Sequence, residues 1–242
     1  MSKVVAIIPA RWGSTRFPGK ALCLIAGKPL MQRVWERSMA AGALDSVIIA
    51  TDDMRIADAA FGFGAQVSLT SRAHASGTDR IAEVAAKLPA GVTHIINVQG
   101  DEPLIEPSLI NQLARTIAYD PKIPMITAAN PFGKNEDTAN PNAVKVVLDR
   151  ASDALYFSRS PVPFRRDHGA PVTYYRHQGI YGYSRKFLLQ FVRWKPGVLE
   201  KAEQLEQLRA LENGAKIRVL ITKKASIGVD TPDDVAAVLN KL

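Results

Sequence analysis

The stretch that decides the fold is Val4-Val5-Ala6-Ile7-Ile8-Pro9-Ala10-Arg11-Trp12-Gly13-Ser14-Thr15-Arg16-Phe17-Pro18-Gly19-Lys20. Its first half is apolar without alternation, the pattern of a strand covered on both faces, as in a parallel sheet. Its second half is a basic, glycine-punctuated loop with the layout of a triphosphate cradle. Gly13 and Gly19 let backbone N–H groups approach an anion, and Arg11, Arg16 and Lys20 supply charge for phosphate oxygens to share. The spacing is not that of the ATPase P-loop, because Ala21 follows Lys20, and no GxGxxG follows the strand. A solvated basic loop is the other reading of this segment taken alone.

Outward from that strand, short β-branched runs alternate with amphipathic stretches. Strands are predicted at 3–9, 46–51, 65–69, 93–98 and 123–128, and helices at 29–42, 53–62, 78–88 and 106–119. The fold class is therefore α/β, a mostly parallel nucleotide-binding sheet with helices on both faces. Ligands of such sheets bind at the carboxyl ends of the strands, which gathers the 10–20 loop, Thr51-Asp52-Asp53 and Gln99-Gly100-Asp101-Glu102 on one edge. From about residue 130 the rhythm changes to strands at 143–149, 154–157 and 173–183 among Pro- and Arg-rich loops. This reads as a smaller mixed lobe, 130–185, within a single domain, 1–242. The lobe carries Tyr156, Phe157, Tyr174, Tyr175, Tyr181 and Tyr183, a concentration suited to a substrate wall or a subunit interface. A long helix at 199–213, a strand at 216–221 and a capped helix at 232–241 complete the chain.

The 242 residues carry a net charge of +8, which favours acidic partners. Lys and Arg are interleaved with acids, with no long basic helix and no RNP-type aromatic run, so a small polyanion is expected rather than nucleic acid. The single cysteine, Cys23, excludes an internal disulfide. No run approaches the ~18 apolar residues of a membrane span, and the N-terminus lacks a signal-peptide pattern, so a cytoplasmic protein with no membrane partner is expected.

Asp101 follows an apolar strand and a small turn residue, where a carboxylate projects above the sheet edge beside the cradle. Such a position suits a hard divalent ion, which needs only one or two protein carboxylates; capping of the next helix is the alternative. Thr231-Pro232-Asp233-Asp234 is a capping box that accounts for Thr231 and Asp234 but leaves Asp230 free to face the cleft. In the turn before the third helix, Ser76 and Gly77 offer hydroxyl and backbone donors, with Thr78 as the expected cap of a helix containing Arg80. In the lobe, Arg159, Arg165 and Arg166 can bind a carboxylate in bidentate fashion or be solvated. His177, Gly179 and Tyr181 share a face if their segment is extended. Glu206 and Gln207 interrupt the leucine stripe of the last long helix and border either core or ligand.

Taken in order, Ile8-Pro9-Ala10-Arg11, Ser14 to Lys20, Ser76-Gly77-Thr78-Asp79-Arg80, Val98-Gln99-Gly100-Asp101-Glu102-Pro103-Leu104-Ile105, Asn140-Pro141-Asn142, Ala154 to Arg159, Leu205-Glu206-Gln207 and Gly228-Val229-Asp230-Thr231-Pro232 resemble the CMP-sugar synthetase family almost end to end. The resemblance implies CTP on the loop, with Ala10, Arg11, Gly13, Ser14, Lys20, Ser76, Gly77 and Arg80 around the nucleotide. It implies Mg²⁺ on Asp101 and Asp230, with Arg11 and Lys20 completing the catalytic set. An acidic sugar of the KDO type would meet Gln99, Arg159, His177, Tyr181, Glu206 and Gln207. The implied reaction joins CMP to the sugar's anomeric hydroxyl and releases pyrophosphate, and the implied assembly is a homodimer. Three positions depart from the family pattern: Trp12 stands for tyrosine, Ala21 for proline, and Gln178 for an apolar residue between His177 and Gly179. An inward-facing Gln178 would admit an amino-substituted sugar. The Gly100–Ile105 stretch speaks against a sialate enzyme, and the absent glycine fingerprint against a dinucleotide oxidoreductase. A non-catalytic basic binding protein would instead show salt-sensitive polynucleotide binding with no dependence on Asp101.

Overall fold

The opening apolar run forms β1 (Lys3–Ala10) of a computed structural model that describes residues 3–13, 17–166, 172–226 and 228–242. Ser14, expected at the nucleotide, lies outside the described residues. After a 3₁₀ turn at Lys20–Leu22 come the short hairpin β2 (Leu24–Ile25) and β3 (Lys28–Pro29), then α1 (Leu30–Met39), β4 (Ser46–Thr51), α2 (Met54–Gly62), β5 (Gln66–Leu69), α3 (Gly77–Lys87), β6 (Val92–Asn97) and α4 (Pro107–Tyr119). The second half holds β7 (Met125–Pro131), β8 (Lys145–Leu148), β9 (Ala154–Ser158), β10 (Tyr175–Ser184), α5 (Arg185–Phe191), α6 (Val198–Glu203), α7 (Leu208–Glu212), β11 (Ile217–Ile221) and α8 (Pro232–Leu239).

The main sheet runs β11-β7-β10-β6-β1-β4-β5. β1 pairs in parallel with β4 and β6, β4 with β5, and β11 with β7, whereas β10 is antiparallel to both its neighbours. The continuous apolar character of β1 has a direct cause. Val4, Ala6, Ile8 and Ala10 enter the core covered by α1, α2 and α4, while Val5 and Ile7 enter the one covered by α3, α5 and α7. Helices thus lie on both faces, as the sequence predicts. The segment 130–185 contributes β8 and β9, and its last strand, β10, threads into the main sheet between β6 and β7.

Two local expectations are corrected. The helix predicted over 199–213 is two short helices, because Gln204 adopts a left-handed backbone (φ 52°) that ends α6. The bend buries Leu205 and Leu208 and lets Arg209 make a bidentate pair with Glu200 at 2.8 and 2.6 Å. On a continuous helix those two residues would stand about 13 Å apart along the axis. At α3, the cap is Ser76 rather than Thr78. Its hydroxyl accepts from the Asp79 N–H at 3.1 Å and its own N–H donates to the Asp79 carboxylate at 3.2 Å, which places Thr78 inside the first turn.

Among the described residues no helix is long and apolar enough to cross a membrane.

Candidate active site

The carboxyl ends of β1 and β6, the start of α3 and the approach to α8 enclose a cavity of about 310 Å³. Its wall includes Ala10, Arg11, Lys20, Ser76, Gly77, Arg80, Gln99, Asp101 and Asp230, all named from sequence, together with His74 and Gly100. Close backbone approach builds it. A Cβ on Gly100 would stand 2.7 Å from the Pro9 carbonyl oxygen, so only glycine lets the β6 turn pack against the end of β1. Gly19 turns the loop with φ 71°, and a Cβ there would meet the Trp12 ring at 3.1 Å. The same indole carries the Arg55 guanidinium 3.4 Å from its centroid, and Arg55 is paired with Asp53, the cap of α2. That bridge raises the first turn of α2 against the loop and pins it. Gly13, expected at the nucleotide, is exposed and stands off the cavity wall, with open space around its Cβ position.

Lys20 lines the cavity and is held by two carboxylates. Its Nζ donates to Asp101 Oδ2 at 2.9 Å and to Asp230 Oδ1 at 3.2 Å. The two aspartates lie far apart in sequence and converge for a tertiary reason: Val229 is buried beneath α8, and its N–H donates to the Asp101 carbonyl at 2.8 Å. Two hard carboxylates thus already bracket one cation. That donor set fits Mg²⁺, which takes oxygen ligands and completes its shell with water and phosphate. Among the described residues no group of three or more His, Cys, Asp or Glu side chains gathers around a common point, so a metal here would depend on those outside ligands. Arg80 is buried and committed, pairing with Asp52 at 3.1 Å and donating to the Thr70 hydroxyl. His74 Nε2 donates to the Glu83 carboxylate at 2.6 Å, and that carboxyl is held at about 2 by Lys87, the Ser71 N–H and His74.

The residues expected at the sugar form a second wall that begins at Gln99. A Cβ on Gly179 would lie 3.5 Å from Gln99 Cγ and 3.3 Å from Glu102 Oε1. Beyond it His177 and Tyr181 stand on one face of β10, ring centroids 5.4 Å apart, as the extended reading requires. The Thr127 hydroxyl donates its one proton to the Ile180 carbonyl at 2.7 Å and therefore accepts from His177 Nε2 at 3.0 Å. That tautomer leaves Nδ1 as an acceptor. Burial pushes the imidazole down to about 3, so it stays neutral at pH 7. Glu206 accepts from the Thr78 hydroxyl and lies 3.6 Å from Arg209; burial raises its carboxyl above the usual range. Gln207 is buried next to it. Arg159 is spent on backbone, donating to the carbonyls of Glu203 at 2.7 Å and Pro141 at 3.0 Å, which ties the lobe to the segment carrying Glu206. Gln178 points to the opposite face, where its amide donates to Asn130 Oδ1 at 3.1 Å and the Lys224 carbonyl at 2.7 Å. The inward-facing alternative is thereby overturned: the alternation of β10 puts His177 and Gln178 on opposite sides of the sheet.

Residues 5–217 match the family described as Cytidylyltransferase. The chain is 51% identical to a 3-deoxy-manno-octulosonate cytidylyltransferase of Geobacter sulfurreducens and 53% identical to that of Geobacter metallireducens, covering 99% and 98% of those relatives and 99% of this chain in both cases. Among solved structures it superposes on a CMP:2-keto-3-deoxy-manno-octonic acid synthetase complexed with CTP, with a TM-score of 0.94, 41% identity, and 99% and 98% of the two chains covered. The chain belongs to the 3-deoxy-manno-octulosonate cytidylyltransferase family. A 4-diphosphocytidyl-2C-methyl-D-erythritol synthase from Anaerococcus prevotii shares the fold alone, at a TM-score of 0.66 and 15% identity.

For a cytidylyltransferase, sequence reasoning missed two features of this site. Glu102 was read only as part of a motif, yet its carboxyl is buried and pushed up to about 7, by desolvation first and by the adjacent Asp101 second. His74 is not among the residues named from sequence, although it lines the cavity. The turn leading into α3 was a signal for His74; for Glu102 the sequence offered none beyond adjacency to Asp101.

Proposed function

We propose that this cytidylyltransferase transfers CMP from CTP to the anomeric 2-hydroxyl of KDO, giving CMP-KDO and pyrophosphate for lipopolysaccharide synthesis, as a cytoplasmic homodimer. The observation that carries the reading is the meeting of Asp101, Asp230 and Lys20 at one point of a polar cavity. The identity to relatives named for this reaction supports the choice of substrates.

In this mechanism the sugar hydroxyl attacks the α-phosphorus in line, pyrophosphate leaves, and no covalent enzyme intermediate forms. Catalysis is positioning and charge neutralisation. Mg²⁺ held by Asp101 and Asp230 would neutralise charge on the α-phosphate and lower the pKa of a bound hydroxyl. Arg11 and Lys20 stabilise the departing pyrophosphate. Ser76 and the N-terminal turn of α3 present donors to the nucleotide. On the sugar side, neutral His177 accepts a hydroxyl proton at Nδ1, and Gln99 and Glu206 fix the ring's orientation. With Gln178 facing Asn130, nothing on this wall favours an amino-substituted sugar.

Support for pairing of two chains comes from Leu155, Phe164 and Val198, large apolar side chains that are 61%, 87% and 78% exposed; the first two lie in the lobe and Val198 begins α6.

The test is pyrophosphate release from CTP and Mg²⁺ with KDO, run beside sialic acid and an amino-substituted KDO. Release with KDO alone, lost in Asp101→Ala, is the expected result. Release only with another sugar overturns the substrate assignment, and release unchanged in the variant overturns the metal role.

A further inference from the structure

We propose that Thr78 is a positioning residue for the sugar, acting through Glu206 and linking the nucleotide turn to the sugar wall. The inference rests on the reading of Glu206 as a sugar contact. Thr78 is 5% exposed and sits directly after Ser76 and Gly77, which line the nucleotide cavity. Because Ser76 performs the capping, the Thr78 hydroxyl is not needed by the helix end. It turns instead across to Glu206, 128 residues further along the chain, and donates to Oε2.

Glu206 is held mainly from the start of α3. It occupies the bend between α6 and α7, where no helix fixes its backbone; besides Thr78 its partners are the Ser76 hydroxyl, which also hydrogen-bonds to it, and Arg209 at 3.6 Å. Arg209 is itself occupied by Glu200 in a bidentate pair. The remaining groups around the carboxylate are Asp79 on the α3 side, and Tyr181 and Tyr183 on β10. A hydrogen bond to an ionised carboxylate fixes its direction and favours its charged form. Thr78 therefore sets where Glu206 points and favours its charged form against the burial that raises its pKa, while Ser76 on the same turn lines the nucleotide cavity. A shift of this turn on CTP binding would move the Glu206 anchor with it.

The experiment compares wild type, Thr78→Val, Thr78→Ser and Glu206→Gln, after thermal unfolding has confirmed that each is folded. Thr78→Val is expected to raise KM for KDO about tenfold, the factor typical of a lost hydrogen bond to a charged group, and to leave KM for CTP within about twofold. Thr78→Ser should restore the wild-type KM. The acid limb of the KM profile for KDO should move to higher pH in Thr78→Val, since losing the donor raises the Glu206 pKa. In a Glu206→Gln background, Thr78→Val should have no further effect. An unchanged KM for KDO, an equal rise in both KM values, or additive effects of the two substitutions would overturn the proposal while leaving the reaction intact. No pyrophosphate release by wild type with any sugar would overturn the reading of the reaction and this proposal with it.

Discussion

Glu102 shows what burial does to a carboxylate beside an active site. Its Oε2 is buried without a hydrogen-bond partner and its carboxyl titrates at about 7, against an ordinary value of 4.5. The sign of the linked stability follows from proton counting. Between pH 4.5 and 7 the folded state binds more protons than the unfolded one, so stability falls as pH rises through that window. Glu102→Gln should therefore match wild type below pH 4.5 and exceed it above pH 7, by about 3 kcal/mol at the full size of the shift. Urea midpoints measured from pH 4 to 8 check this, and a pH-independent difference would count against it. Of the residues named from sequence, the charged ones at the sheet edge, Arg11, Lys20, Asp101 and Asp230, all line the cavity. Gly13 does not reach the cavity wall: it is exposed, with open space around its Cβ position.

At the scale of the element, the break between α6 and α7 decides where Glu206 and Gln207 stand. Apolar periodicity over Leu205, Leu208 and Leu211 reads as one helix, since a bend that keeps the same leucines inside is invisible to periodicity. Gln204 holds the bend in a left-handed conformation that costs a residue with a Cβ about 1 kcal/mol. Gln204→Gly should be tolerated within ~0.5 kcal/mol, whereas β-branched Gln204→Val should lose about 1–2 kcal/mol and raise KM for the sugar by moving Glu206. Denaturant melts together with kinetics check both, and a Val variant as stable and active as wild type would show that the bend is not held by Gln204. The cap of α3 was misplaced by two residues for a related reason. Ser76 and Thr78 both precede apolar helical positions, and what decides between them is the reciprocal Asp79 contact, together with the distant Glu206 that draws Thr78 away.

For the whole molecule, the sheet is continuous from β11 to β5, and β10, which carries His177 and Tyr181, lies near its centre between β6 and β7. Among the described residues β9 pairs only with β8, which makes it an edge strand there, and it carries the exposed Leu155. An apolar residue on an uncovered edge invites association. Leu155→Glu is expected to convert a two-chain species to a single chain in sedimentation velocity, with the melting temperature lowered through mass action. A wild type that sediments as one chain at all concentrations would remove the homodimer from the proposed function.

The sequence by itself determined the α/β class, the parallel rhythm of β1, β4, β5, β6 and β7 though not the β2–β3 hairpin, the basic, glycine-punctuated loop after β1, and the chemical kind of each candidate site residue. Those follow from local causes: the period of apolar residues, the turn chemistry of glycine and proline, and the fixed charge of side chains. Only the tertiary structure decided that Asp230 meets Asp101, because that meeting depends on Val229 being buried under α8 while its N–H reaches the Asp101 carbonyl. It alone decided the facing of Gln178, which rests on where Asn130 and Lys224 stand. It alone turned Glu206 toward Thr78. In each case a contact between distant parts of the chain selects among side-chain directions that are equally open to the segment on its own.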